Sequence, residues 1–431
     1  MSERDDRAFT DRMLQDVMRK RLSRRSVLRG AGVGVAGVSL ASLLAACGGG
    51  DGGGGGGGGN PADVFSGQPG DKVNFANWPL YIDQAKDKDG NVYYPSLKEF
   101  KDQTGIDVNY EAVIQSNEEF FGKIQPQLAG GDSTGWDIIV ITNGRQFNVL
   151  TGNDWVYKLD TTKRPNFDEN ATDFARSPSY DVGNVYAMPW QGGFTGIGYD
   201  KTKVNGEITK MDDLANPDKV GTKSVGMLKS DMPDFVMINL GIDPTTSGPA
   251  EWKEAAAWLI KQRDSGTVRQ YYDQGYIDDF VAGNTAATMA WSGDVIYYKI
   301  WSGYSDFEFL TPENGAMMWQ DNMLVPVGAQ NPVGAMMTMD WYYKPKIATM
   351  VTEWVIYLSP CGGVGDNIRA DAAAAENQGY KGFASKLTQT ADSVYAFPDA
   401  ALLGQAKFGA NITTDDQASE WDSIFLPITQ Q

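Results

Sequence analysis

The chain has 431 residues, with 55 Asp and Glu against 37 Lys and Arg, two cysteines and no histidine. The missing histidine removes the usual general base, the Ser-His and Cys-His nucleophile pairs and the commonest zinc and copper ligand; two cysteines, Cys47 and Cys361, exclude a disulfide framework or a thiolate metal cage. The first 46 residues carry 9 basic and 5 acidic side chains, which leaves 28 against 50 and a net charge of −22 beyond them. Such a body repels nucleic acid and attracts cations, although the same acidity also serves solubility alone.

Residues 1–20 are polar. Leu22-Ser23-Arg24-Arg25-Ser26-Val27-Leu28-Arg29 then carries a twin-arginine export pattern, followed by a mildly apolar run over residues 30–46 that is short for a spanning helix. The run closes on Leu44-Ala45-Ala46-Cys47-Gly48, which looks like a bacterial lipobox and marks Cys47 as the lipidated residue; a plain anchor helix is the alternative. Residues 1–47 are therefore expected to be a signal peptide. Residues 48–70, dominated by glycine, are expected to be a flexible tether.

The folded body is expected from Asp71. Residues 72–78 alternate as a strand that ends in an aromatic turn at 79–82. Residues 94–104 form a helix stopped by Gly105, and residues 106–113 a second strand. Ser116 and Glu119 make a capping box for a helix to about Leu128. Residues 136–142 are a continuous apolar strand of the kind covered on both faces. Strand, helix, strand, helix, strand gives an α/β lobe. Residues 186–200 read as a glycine-rich strand crossing to a second lobe. There a strand at 223–228, a helix from Asp231 to Leu240 and a helix over 252–263 follow. Residues 331–347 look partly helical, residues 348–358 helical with Trp354 and Tyr357, and residues 372–431 form a largely helical tail.

The chemically richest stretch spans residues 281–326. A buried-looking run over 285–291 ends at Trp291, and Ser292-Gly293-Asp294 resembles an N-cap for a helix with Tyr297 and Tyr298. Residues 315–326 form another apolar strand, in which period-2 geometry puts Trp319 and Asp321 on one face. An indole beside a carboxylate is a receptor for an organic cation. Asp321 lies among Met317, Met318, Met323 and Leu324, where an anion is costly unless it meets a cation.

Taken together, these landmarks resemble the polyamine-binding periplasmic proteins of ABC importers, the spermidine/putrescine-binding type. The resemblance runs from Asn77-Trp78-Pro79-Leu80-Tyr81 through Ser116-Asn117-Glu118, Trp136-Asp137-Ile138-Ile139-Val140, Met188-Pro189-Trp190-Gln191-Gly192-Gly193, Trp291-Ser292-Gly293 and Trp319-Gln320-Asp321 to Tyr357. It implies a two-lobed α/β fold of the type II periplasmic-binding-protein kind, with a hinge of crossing strands and a ligand cleft between the lobes. On this resemblance residues 71–189 plus 325–370 form lobe 1, and residues 190–324 plus 371–431 form lobe 2. It implies ligand contacts at Trp78, Tyr81, Asp231, Asp234, Trp291, Trp319, Asp321 and Tyr357. The sequence departs from the family at Thr142-Asn143-Gly144, where an aromatic is missing, and at Gly192 or Gly193, where the crossing strand often carries one.

The implied protein is a monomeric lipoprotein. It delivers a polyamine, putrescine-like or spermidine-like, to a membrane permease, with no cofactor, metal or nucleic acid. Other readings stay open. The tryptophans also suit a core, and Asp231 and Asp234 suit helix N-termini. The same fold serves sugars or other amines, and the pairs Tyr271-Tyr272, Tyr297-Tyr298 and Tyr342-Tyr343 suggest ferric iron. An exported hydrolase using paired carboxylates is a further alternative. Cys361 reads as an inert thiol.

Overall fold

The computed structural model describes residues 61–430. The export signal, Cys47 and the polyglycine stretch lie outside the described residues. Within the segment expected to be tether, two points are held to the body: Phe65 is fully buried, and the Gly70 N–H donates to Asn331 Oδ1 at 3.0 Å. The apolar ring of Phe65 supplies the anchor, since burying it is favourable.

The first half of the chain builds β1 (Lys72–Asn77), α1 (Pro95–Thr104), β2 (Asp107–Ala112), α2 (Asn117–Gly130), β3 (Ile138–Thr142) and α3 (Arg145–Gly152). Local chemistry fixes these bounds. Pro95 opens α1 and Gly105 closes it in the left-handed region at φ 78°. Ser116 Oγ accepts from the Glu119 N–H at 3.0 Å at the start of α2. The four residues Ile138, Ile139, Val140 and Ile141 are all fully buried, as a strand covered on both faces requires.

The long strand β4 (Ala187–Asp200) leads to β5 (Val225–Leu228), α4 (Met232–Asn239), α5 (Pro249–Asp264), β6 (Val268–Tyr272), β7 (Ala287–Trp291), α6 (Ser292–Trp301), β8 (Phe307–Leu310) and β9 (Ala316–Leu324). Helices α7 (Pro332–Trp341), α8 (Pro345–Val355), α9 (Val364–Asn377) and α10 (Lys381–Ala391), the short β10 (Ala406–Lys407) and α11 (Asp415–Thr429) follow. Strands β6 and β8 and helix α3 have no counterpart in the sequence expectation. The helix expected over 348–358 ends at Val355, because Ile356 turns left-handed at φ 58°; Tyr357 therefore sits on a bend beyond the helix.

The strands form one ten-stranded sheet, ordered β2-β1-β3-β9-β4-β7-β5-β6, with β8 on β4 and β10 on β9. Strands β4 and β9 run antiparallel through its middle, from Leu324↔Ala187 to Met317↔Thr195, with an irregularity between Asp321 and Asn322. One end of β9 pairs with β3 and one end of β4 with β7.

Two hydrophobic cores flank this seam. Met188, Trp190, Met323 and Leu324 belong to the first; Phe194, Ile197, Met317 and Met318 belong to the second. Both strands thus change cores within a few residues of each other. A third segment crosses beside them, where Gly192 and Leu358 exchange backbone hydrogen bonds of 2.9 and 2.8 Å. Ala372, Leu387 and Ala391 pack in the first core, whereas Tyr395, Leu402, Leu403, Phe408, Ala410, Ile412 and the apolar residues of α11 pack in or against the second. The expected placement of all of 371–431 in lobe 2 therefore differs from the packing, because α9 lies along α8 and α10 along α9.

Candidate functional site

The site grows out of the seam. On β9, alternate residues face opposite ways. Gln320 and Asn322 both accept from the Tyr180 hydroxyl, at 2.7 and 3.0 Å, on one face. Trp319 and Asp321 occupy the other, as the spacing predicts. Asp321 Oδ1 accepts from Thr142 Oγ1 at 2.6 Å, and Thr142 is in turn held by Asn117 at the start of α2, Nδ2 to Oγ1 at 2.9 Å. Asp321 is buried, and burial pushes its pKa up to about 6, with the negative charge of Asp231 adding to the rise and the Thr142 hydrogen bond opposing it.

Aromatic rings surround this carboxylate. Tyr357 meets Tyr81 edge-on at 5.5 Å and Trp319 at 5.4 Å between ring centroids. The Tyr81 hydroxyl is buried close enough to Asp321 for burial and then that charge to hold its proton tightly, yet no well-aligned hydrogen bond joins the two. Trp190 Nε1 donates to the Tyr81 carbonyl at 3.1 Å and pins the turn from Trp78. Leu80 within that turn is left-handed at φ 57°, a conformation that side chains other than glycine rarely take. Trp78 is half-buried at the carboxyl end of β1, and its indole N–H is sealed from solvent without a protein partner.

The second core contributes Asp231. Its Oδ2 accepts from Trp291 Nε1 at 2.9 Å and from Thr195 Oγ1, and its Oδ1 from Ser230 Oγ at 2.6 Å. It makes no capping bond to α4, so the helix-cap alternative fails for this residue. Among the described residues no lysine or arginine forms an ion pair with Asp231 or Asp321.

Asp234 goes elsewhere. Its Oδ1 accepts from the Ala410 N–H at 2.9 Å, and its carboxylate lies against Gly409. Burial, with a smaller contribution from Asp231, pushes its pKa up to about 7. Asp234, expected as a ligand contact, lies one turn along α4 from Asp231 and faces the C-terminal segment rather than the seam.

A profile of the bacterial extracellular solute-binding protein family matches residues 96–377. The chain belongs to that family. Among its relatives, a spermidine/putrescine-binding periplasmic protein of Haemophilus influenzae is 27% identical over 262 residues, 61% of this chain and 70% of the relative. The putrescine-binding periplasmic protein SpuD of Pseudomonas aeruginosa is 29% identical over 296 residues, 65% and 75% of the two chains. In three dimensions the chain is similar to the Streptococcus pneumoniae spermidine/putrescine ABC transporter substrate-binding protein PotD, with a TM-score of 0.65 at 20% identity over 83% of this chain and 98% of that one. The Treponema pallidum PotD lipoprotein gives a TM-score of 0.65 at 16% identity over 84% and 100%. These likenesses place the α/β architecture among two-lobed periplasmic binding proteins.

For a solute-binding protein, the seam is where both lobes present side chains at once. Of the expected contacts, Tyr81, Tyr357, Trp319 and Asp321 cluster there, Asp231 and Trp291 face them, and Trp78 stands beside them; Asp234 does not join. Sequence reasoning missed Asp294, read there as part of a cap. The N-cap of α6 is Trp291, and Asp294 instead accepts from Tyr276 OH at 3.0 Å, while its charge helps hold the protons of Tyr81 and Tyr276. The available signal was its spacing, a carboxylate three residues after Trp291. Thr142 and Thr195, which orient the two carboxylates, were also missed. At the missing-aromatic position, Asn143 instead extends the β3–β9 pairing through hydrogen bonds to both the N–H and the carbonyl of Gln320.

The tyrosine pairs do not converge. Tyr343 OH donates to the Pro189 carbonyl, Tyr272 OH to Asp279, and Tyr342 OH lies 3.1 Å from Ser96 Oγ. No group of three or more acidic or cysteine side chains that could hold a metal ion occurs among the described residues.

Proposed function

We propose that this solute-binding protein captures a polyamine, putrescine-like or spermidine-like, between its lobes and delivers it to an ABC permease. One observation carries the reading. Two buried carboxylates, Asp321 at the seam and Asp231 at the head of α4, face each other closely enough for one charge to raise the pKa of the other, and neither has a basic partner among the described residues. Two like charges brought together out of water are unfavourable until a cation joins them. A chain with an ammonium at each end supplies two charges, and its methylenes lie against Trp78, Tyr81, Trp291, Trp319 and Tyr357. Contacts to both lobes exist only in the closed form, so the ligand shifts the balance towards closure. The names of the relatives agree with this chemistry. The role is capture, with no turnover.

Delivery places the body outside the cytoplasmic membrane, exported through the twin-arginine signal as a monomer and held by a lipid on Cys47. No helix among the described residues is long and apolar enough to cross a membrane. Calorimetric titration with putrescine, spermidine, amino acids, sugars and ferric citrate tests the ligand: the amines are expected to bind, and saturation by a sugar or ferric citrate alone overturns the reading. Cys47→Ser is expected to shift the protein out of the membrane fraction, and unchanged fractionation argues for a plain anchor helix.

A further inference from the structure

Strand β4 carries the run Gln191-Gly192-Gly193-Phe194-Thr195-Gly196, and its glycines have different reasons. At Gly192 and Gly196 a β-carbon would meet backbone carbonyls, of Trp319 at 3.0 Å and Leu310 at 2.3 Å, so the backbone of the neighbouring strands leaves no room for one. Gly193 is another case. A β-carbon there would lie 2.6 and 2.9 Å from Cζ2 and Cη2 of the Trp319 indole and 3.1 Å from the Tyr357 ring. Gly293, in the first turn of α6, repeats the pattern: a β-carbon would lie 2.7 to 2.8 Å from three atoms of the Tyr357 ring. Neither residue has a positive φ, so the backbone conformation does not call for glycine. Glycine inside a strand or a helix weakens that element. What both positions provide is room for two aromatic rings of the site.

We infer that Gly193 and Gly293 are specificity-determining positions, which let Trp319 and Tyr357 recede and so set the length and bulk of amine the cleft accepts. The inference rests on the polyamine reading above. Gly193 is paired with Trp319 across the β4–β9 ladder, so its missing side chain would rise on the same face as the indole. A methyl there drives the six-membered ring of the indole away from the sheet by about 1 Å, the shift needed to restore ordinary contact in a packed interior. The space lost is cleft. A methyl at Gly293 pushes Tyr357 off α6 towards Tyr81, with the same result. The expected aromatic on the crossing strand is therefore not simply missing: the glycine makes room for an indole from the neighbouring strand.

The test is calorimetric titration of wild type, Gly193→Ala, Trp319→Phe and the double variant with putrescine and spermidine, with thermal unfolding alongside. Gly193→Ala is expected to weaken spermidine about tenfold more than putrescine, the scale of one misplaced methylene in an apolar pocket. Phenylalanine lacks the indole atoms that crowd the methyl, so the double variant is expected to recover most of the discrimination. Trp319→Phe alone is expected to shift preference towards spermidine, which tests the inference even if Gly193→Ala does not fold. Equal losses for both amines in Gly193→Ala, or no recovery in the double variant, overturn the inference while leaving the polyamine reading intact. A wild type that binds neither amine overturns both.

Discussion

The two faces of β9 bury polar side chains side by side and treat them differently. On the reverse face, Gln320 Oε1 accepts from Tyr180 and its Nε2 donates to the Phe174 carbonyl at 3.3 Å; Asn322 Oδ1 accepts from the same hydroxyl and its Nδ2 donates to the Gln320 carbonyl at 2.9 Å. The network closes on itself, as buried polar groups in a structural role do. On the site face, Asp321 has one well-aligned donor, Thr142. Around it the Trp319 and Trp78 indole N–H groups, the Tyr81 hydroxyl and Gln191 Oε1 are buried without a protein partner. One strand thus holds a finished network and an unfinished one, a single residue apart. The unfinished one is where a solute can contribute.

Asp321→Asn breaks this comparison most sharply. Removing one charge from a desolvated pair leaves the ligand ammonium uncompensated, and binding of putrescine and spermidine is expected to weaken by about 2–5 kcal/mol. The fold is expected to survive, because the amide still accepts from Thr142 and no longer carries a buried charge. Calorimetric titration measures it; a change of less than about threefold, well below the loss expected for a buried pair, removes Asp321 from the site.

The reverse face predicts the opposite split. Asn322→Leu removes an acceptor from Tyr180 and a donor from the Gln320 carbonyl, and is expected to cost about 1–3 kcal/mol of stability. Amine affinity is expected to change little, because no Asn322 atom faces the cleft. Chemical denaturation and titration of one preparation separate the two effects. An affinity loss as large as that of Asp321→Asn would show that the two faces are not functionally distinct.

pH sharpens the same contrast. Burial raises the pKa of Asp321 to about 6, Asp83 to about 6 and Asp234 to about 7. For an acid whose folded pKa lies above its unfolded one, the stabilising contribution is fully present below the unfolded value and is lost as pH rises through the folded value. The ligand-free protein is therefore expected to gain thermal stability as pH falls from about 8 towards 4. Cation binding requires ionised Asp321 and is expected to weaken across the same interval, around pH 6. Opposite slopes of ligand-free melting temperature and amine affinity are the signature. Parallel slopes would mean that the titrating groups are not those that hold the ligand.

Local periodicity made much of this legible in the sequence. The four apolar residues from Ile138 to Ile141, the cap at Ser116 and the stop at Gly105 were readable because each depends on near neighbours. The shared face of Trp319 and Asp321 followed from strand period alone. What was not readable depended on distant partners. Asp294 resembles a helix-capping acid until the Tyr276 hydroxyl, 18 residues earlier, is placed against it. Thr142 has no signature of its own at the end of an apolar strand. Gly193 suggests a bendable hinge, whereas the fold uses it as a seat for an indole from a strand far along the chain.

Asp234 is the clearest such case and gives the smallest expected effect. In sequence it shares the first turn of a helix with Asp231, and the two look equivalent. In the fold its acceptor oxygen meets the N–H of Ala410, 176 residues away, while Asp231 holds Trp291. Asp234→Asn keeps an oxygen for that N–H and removes a charge that burial already disfavours. Stability is expected to rise slightly above pH 7, where the wild-type carboxylate is ionised, and to stay unchanged near pH 5, where it is protonated. Amine affinity is expected to stay within about twofold at both, since a group outside direct contact couples weakly to the site. The titration that weakens strongly for Asp321→Asn thus serves as the reference. A comparable loss for Asp234→Asn would return this residue to the cleft and require the segment over 409–410 to move aside when the ligand binds.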